Sequence, residues 1–315
     1  MVSIAKAKLR YQELQNDQFF QNDKRRALKY FKKFLFFVFR FCILLGVSYV
    51  ILSPLIRMIA QSFFSDTDLT NPMVYIIPTQ PTLEKYVAAW KVLPYPTTIL
   101  KSLGNDFALM LIQIFICSMV GYGFARFDFP LKGVLFGCVV VMIVIPTHAI
   151  MLPLYLTFTQ TVNLYNTIWP FYLLTVFGSG LRSGLYIYLF NQFFRGLPKE
   201  IEEAAFVDGA GSFYTYFRIM LVNAMPSVIT VAVFSLVWQY NDLFYSKLFG
   251  LSSAVSMRIS ALSQEVGAVY EIENPAFLTM YLYAGIVLIL IPVILIYCVL
   301  QKFFIEGVER SGIVG

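Results

Sequence analysis

Charge is what this chain has least of. Only 13% of its 315 residues are Asp, Glu, Lys or Arg, against about a quarter in soluble domains. With 58% hydrophobic residues and a mean hydropathy of +0.70, the charges are too few to coat a water-facing surface. A soluble enzyme and a disordered chain are excluded. The four cysteines (Cys42, Cys117, Cys138, Cys298) all fall in apolar runs, with neither metal nor redox spacing. A disulfide scaffold is therefore excluded too, and the thiols read as small hydrophobes. No GxxxxGK[ST] phosphate loop occurs. No internal repeat is visible, which argues against an inverted-repeat secondary transporter. A cleaved leader is not expected, because the first apolar run follows about 33 polar residues, is span-length and lacks a small-residue cleavage site.

What the chain does have is long apolar runs. Six are visible, at about 34–56, 99–124, 134–158, 167–190, 227–249 and 278–300. Each holds about 20–26 residues and, at about 1.5 Å per residue, reaches about 30 Å or more. The expected fold is an all-α polytopic membrane protein with six transmembrane helices. Five runs read as uninterrupted; the fourth is broken by Gly178-Ser-Gly180 and carries Arg182. The 31 Phe and 20 Tyr can face lipid or sit at headgroup level.

Lysine and arginine crowd residues 6–33, with further basic residues at Arg126, Lys132, Arg195, Lys199, Arg218, Lys302 and Arg310. This bias places both termini in the cytoplasm. The net charge of +6 then reflects topology and anionic lipid, not nucleic acid. The expected division is a basic cytoplasmic tail (1–33), a six-helix transmembrane domain (34–301) with a prominent loop at 191–225, and a cytoplasmic tail (302–315). The segment 57–98, with Pro72, Pro78, Pro81, Pro94 and Pro96, is expected outside the cytoplasm with little regular structure. A short helix is expected near 256–266, between spans five and six.

The loop 191–225 has the pattern of a helix–turn–helix. Pro198 suits a first helical position, and Glu200, Glu202 and Glu203 fall where carboxylates meet the positive end of the helix dipole. Ile201, Ala204 and Ala205 share a small apolar face, and Asp208-Gly209-Ala210-Gly211 breaks the helix. Ser212 can cap a second helix with Phe213, Tyr216, Phe217, Met220 and Leu221 on its apolar side. An amphipathic pair lying on lipid would need a basic face. Three glutamates would be repelled by anionic lipid, so a protein partner fits better.

Glu203-Ala204-Ala205, then Gly209, Ile219 and Leu221 at their spacing, resemble the EAA loop of ABC importer permeases. Val222 stands where that family usually has proline, with Pro226 four residues on. The segment around the loop resembles the carbohydrate branch, in particular the maltose-type second permease subunit. So do PTLEKY (81–86), GYGFARFDFP (121–130), the IP and LPLY of the third span (145–155) and VWQYND (237–242). The resemblance implies a transport subunit, not an enzyme, that couples to an ATPase through Glu202, Glu203, Ala204, Ala205, Asp208 and Gly209. It implies no cofactor or metal in this chain, with ATP and Mg on the partner ATPase. The implied partners are a second, homologous permease, two ATP-binding cassette subunits and an extracytoplasmic sugar-binding protein, in a bacterial plasma membrane. Two rivals stand beside it: an importer of another solute such as amino acids, and a membrane assembly scaffold without a pathway.

Arg182 and Asp242 lie within expected spans, with Trp238, Gln239 and Asn241 near the latter. Ionisable groups at bilayer depth usually face a bundle interior or a wet cavity. Aromatic faces beside hydrogen-bonding groups suit a sugar pathway; a structural polar patch at a subunit interface fits equally. Counting along each helix puts Asp242 about 24 Å and Arg182 about 13 Å from the cytoplasmic side, too far apart for a direct ion pair. His148, between Pro146 and Pro153, reads as a hydrogen-bonded structural residue, and Arg40 as a residue snorkelling to the surface.

Overall fold

The computed structural model describes the backbone of residues 2–312 and the side chains of residues 29–299 and 301. The basic side chains of residues 6–26, Lys302 and Arg310 lie outside the described residues. The chain forms two units, residues 1–60 and 61–315. Helix α1 runs from Val2 to Gln61 and carries the first span at Lys29–Gln61. Its apolar stretch includes Phe34, Phe36, Phe37, Phe39 and Phe41 and is long enough to cross a bilayer by itself. Such a helix suits lipid as its solvent.

Within the second unit come α2 (Asp66–Thr70), α3 (Glu84–Val92), α4 (Tyr95–Arg126), α5 (Lys132–Val144), α6 (Met151–Tyr155), α7 (Trp169–Val176) and α8 (Ser183–Gly196). They are followed by α9 (Glu200–Val207), α10 (Ser212–Thr215), α11 (Leu221–Asn223), α12 (Met225–Tyr240), α13 (Phe244–Leu248), α14 (Val255–Tyr270) and α15 (Pro275–Gly312). No strand occurs among the described residues. The backbone of α4 lies against α8. A β-carbon on Gly121 would come within 2.7 Å of the Phe190 Cβ, so only glycine permits the approach. Cys117, Tyr186, Ile187, Phe190 and Phe194 fill that seam. A second core, with Ala88, Ala89, Leu262, Val266 and Ala284, joins α3 and α14 to α15.

Among the described residues, three helices are long and apolar enough to span alone: Lys29–Gln61, Tyr95–Arg126 and Pro275–Val299. Two bent helix pairs reach span length only when taken together, Lys132–Val144 with Thr147–Thr161 (106°) and Ser212–Asn223 with Met225–Tyr240 (77°), the first part of the second pair being the loop helix. The third run, expected to be uninterrupted, therefore breaks at Ile145-Pro146. Proline forces its predecessor out of helix, and Ile145 sits at ψ 122°. The fourth run parts into α7 and α8 at the Gly178–Gly180 break, where Gly178 takes a positive φ of 69°. The fifth stops early, because α12 ends at Tyr240 before the short α13.

Pro292 lies inside α15 and cannot donate to Leu288 O. Tyr95 Oη donates to that freed carbonyl at 2.8 Å, and Tyr240 Oη donates to the neighbouring Ile289 O at 2.8 Å. A helix carbonyl left open in lipid would have no such substitute.

The segment 57–98 is far more ordered than its prolines suggest. Asp68, 1% exposed, accepts from the Ser65, Thr79 and Gln80 backbone N–H groups and from the Thr79 hydroxyl. One carboxylate thus closes the loop from residue 65 to residue 80. The Thr79 hydroxyl bond holds that carboxyl below its ordinary range, with the three backbone bonds acting the same way. Beside it, Lys85 is buried and paired with Asp66 at 2.7 Å. The short helix expected near 256–266 is α14.

Candidate functional site

The loop 191–225 folds as the expected helix pair, with its caps displaced. The first helix begins at Glu200, two residues past Pro198, and Ser212 is the first residue of α10 without a side-chain capping bond. Tyr216 and Met220 are buried, and Tyr216 Oη meets Ser118 Oγ at 2.6 Å, seating the second helix on α4. Phe213 (74% exposed) and Phe217 (41%) instead remain on the surface.

The six loop residues expected to couple divide into two groups. Glu202 and Ala205 face the bundle and are buried. Glu202 Oε2 pairs with Arg126 Nε at 2.7 Å, and its Oε1 accepts from Tyr122 Oη at 2.5 Å. Arg126 also donates to Leu197 O at 2.8 Å. Glu202 is therefore a clamp that fixes α9 to the end of α4, and a docking surface is not where it sits. Glu203, Ala204, Asp208 and Gly209 are exposed, and so are Phe206 and Val207. Ala204 thus leaves the apolar face assigned to it, because the bundle-facing positions are Ile201, Glu202 and Ala205. Gly209 has φ +83°, which turns the chain between the two helices.

Arg182, Trp238, Asn241 and Asp242 all line one cleft of about 610 Å³, together with Thr147, Ser179, Gly180, Ser183 and Tyr245. No ion pair joins Arg182 to Asp242. The Arg182 guanidinium lies over the Trp238 ring, 3.9 Å from its centroid. Trp238 therefore sits beside Arg182, whereas the sequence spacing placed it beside Asp242. The Asp242 carboxylate accepts from Tyr245 N (3.2 Å), Ser246 N (2.9 Å) and Ser246 Oγ (3.1 Å), fixing the start of α13. Asn241 is exposed and donates back to Val237 O. His148 is exposed, and its ring packs edge-on to Phe244; the hydrogen-bonded role expected for it is replaced by that contact.

One group at the centre of this arrangement escaped the sequence reading. Gln113, fully buried in α4, donates to Leu181 O (2.6 Å) and Ser183 Oγ (3.0 Å). Its Oε1 accepts from Ser235 Oγ (2.7 Å) and Gln239 Nε2 (3.4 Å) on α12. It holds the break beside Arg182 and the helix that carries Trp238. A polar amide deep in an apolar run was the available signal. Arg126, read only for topology, was the other: a cation ending one span with a glutamate-rich loop nearby.

A family described as "Binding-protein-dependent transport system inner membrane component" matches residues 113–310, more than half the chain. The arabinooligosaccharides transport system permease protein AraQ of Halalkalibacterium halodurans is 25% identical, over 85% of this chain and 93% of its own. The diacetylchitobiose uptake system permease protein NgcG of Streptomyces coelicolor is 26% identical, over 84% of each. The crystal structure of a bacterial ABC transporter involved in importing the acidic polysaccharide alginate superposes with a TM-score of 0.67. It is 20% identical and covers 85% of this chain and 96% of that one. At that identity the likeness concerns the fold.

Proposed function

Because the chain belongs to the family of binding-protein-dependent transport system inner membrane components, we propose that it is a permease subunit of an ABC importer for a sugar or oligosaccharide. Relatives named for arabinooligosaccharides and diacetylchitobiose support the solute class. A second, homologous permease completes the pathway. Two separate subunits bind and hydrolyse ATP with Mg, and an extracytoplasmic binding protein delivers the sugar. Both termini lie in the cytoplasm of a bacterial cell.

The single observation that carries the reading is the surface left on the loop 191–225. The buried Glu202–Arg126–Tyr122 clamp makes α9 rigid with α4, while Glu203, Phe206, Val207 and Phe213 stand out unpartnered beside Gly209. A rigid helix with an exposed apolar and acidic face is suited to receive a push from another protein. Motion of α9 carries α4 with it. About 13 Å along α4 from Tyr122, Gln113 moves the break at Leu181–Ser183 and the Ser235–Gln239 stretch of α12. Those two segments form the walls of the cleft, where Trp238 offers a ring to a sugar's CH face and Asn241 an amide to its hydroxyls.

The test is the complex reconstituted with its partner permease, ATPase and binding protein. ATP hydrolysis should rise when a sugar substrate is added, and Glu203→Lys should insert in the membrane yet lose the ATPase from the purified complex. A Glu203→Lys complex that keeps its ATPase and imports at the wild-type rate would overturn the docking assignment. A scaffold would leave ATP hydrolysis indifferent to sugar.

A further inference from the structure

The cleft lined by Arg182 and Asp242 carries one charge of each sign, but only one of them is free. Asp242 is 8% exposed and its carboxylate receives three donors at the start of α13. Arg182 is exposed. Among the described residues its side chain makes no ion pair and no hydrogen bond; its guanidinium lies over the Trp238 ring at 3.9 Å. The charge offered to whatever enters the cleft is therefore positive.

Three features place it there. Arg182 takes left-handed backbone angles, φ 62° and ψ 15°, which a β-carbon disfavours and which recur where function holds a residue in place. Gln113 grips the carbonyl before it and the hydroxyl after it, so the strained residue is held from both sides. The 14-residue helix α8 begins at the next residue, and the positive end of its dipole adds to the field at the cleft. A cation without an ion-pair partner among the described residues at bilayer depth is costly and marks a ligand or ion pathway.

The stack also dictates the kind of anion. A guanidinium held over an indole by its central carbon still has N–H edges to offer, and two parallel N–H bonds match a carboxylate. The adjoining Trp238 ring and the Asn241 amide suit the rest of a sugar. We infer that this cleft selects oligosaccharides bearing a uronic-acid carboxylate, received by Arg182. The inference rests on the importer reading above and adds the chemical class of its cargo.

The experiment is ATP-driven uptake by the full complex, with its binding protein, in proteoliposomes. Trigalacturonate is compared with its uncharged counterpart, galactotriose. The wild type should favour the acid, and the acid-to-neutral rate ratio should drop at least tenfold in Arg182→Gln while Arg182→Lys keeps most of it. In the wild type the same ratio should fall as NaCl rises from about 20 to about 300 mM, because salt screens an exposed charge. This second measurement holds even if Arg182→Gln fails to assemble. Wild-type uptake of galactotriose without trigalacturonate, or a ratio unmoved by both Arg182→Gln and salt, would overturn the inference and leave the importer reading standing. Absence of trigalacturonate uptake would likewise overturn the inference, whereas the importer reading falls only if no sugar stimulates ATP hydrolysis by the complex.

Discussion

At the scale of single residues, Glu202 shows how one side chain can be read in two directions. Three glutamates in the first turn of α9 looked alike in the sequence, all suited to the helix dipole and to a partner. Only Glu202 turns inward, because Arg126 and Tyr122 wait at the end of α4 to receive it. Its side chain is 9% exposed and that of Arg126 6%, so removing either partner strands a buried charge. Glu202→Ala and Arg126→Ala should each destabilise the complex by about 3–5 kcal/mol. The double variant should lose clearly less than the two losses summed, since the second change removes the stranded charge. Tyr122→Phe should cost less than either, about 1.5–3 kcal/mol, because the ion pair survives it. Thermal unfolding of the purified complexes measures all four, and strictly additive losses would show that the pair is not coupled. Gln113 teaches the complementary point: the sequence exposed its oddity, a lone amide among apolar neighbours, but not that Leu181, Ser183, Ser235 and Gln239 would converge on it.

At the scale of elements, turns that glycine and proline announce were legible, while the path of the chain beyond them was not. Gly209 stands at φ +83° with no atom within 4 Å of where a β-carbon would lie. A substitution there is therefore limited by backbone conformation alone, about 1–2 kcal/mol for an ordinary residue and more for a β-branched one. Gly209→Asn, which tolerates left-handed angles, should keep ATPase binding and import near wild type. Gly209→Val should insert normally and lose coupling, read as ATPase retained in the purified complex and as uptake rate. Equal behaviour of the two variants would show that the turn is not what matters. The loop 65–80 is closed by Asp68, whose carboxyl is held below its ordinary value near 3.8. A depressed carboxyl contributes its stability above the ordinary value and loses it as pH falls through the lowered one. Protease cleavage between residues 69 and 79 should stay constant from about pH 8 to pH 4 and rise only below that. Asp68→Asn should raise cleavage at every pH. A cleavage rate that climbs already between about pH 6 and pH 5 would exclude Asp68 as the closing group.

At the scale of the whole molecule, the basic residues spread along the sequence predict an orientation that labelling can test. Asn71 and Ser212 are both exposed and lie in the two loops expected on opposite sides of the membrane. Single cysteines at these positions, in a chain lacking Cys42, Cys117, Cys138 and Cys298, should react with an impermeant reagent on intact cells at residue 71 and not at residue 212. The reverse pattern would mean the opposite orientation. Membrane embedding, the all-helical class, the loop 191–225 and the carbohydrate-permease resemblance were determined by the sequence alone, because hydropathy, charge and turn residues act locally and leave their mark in order along the chain. The tertiary structure decided what depends on residues far apart in that order. It turned Glu202 inward, gathered Leu181, Ser183, Ser235 and Gln239 on Gln113, and set Arg182 on Trp238 in a shared cleft. For Glu202, as for Gln113, a buried polar group had to find a partner, and which partner lay within reach was fixed only when helices distant in sequence packed together.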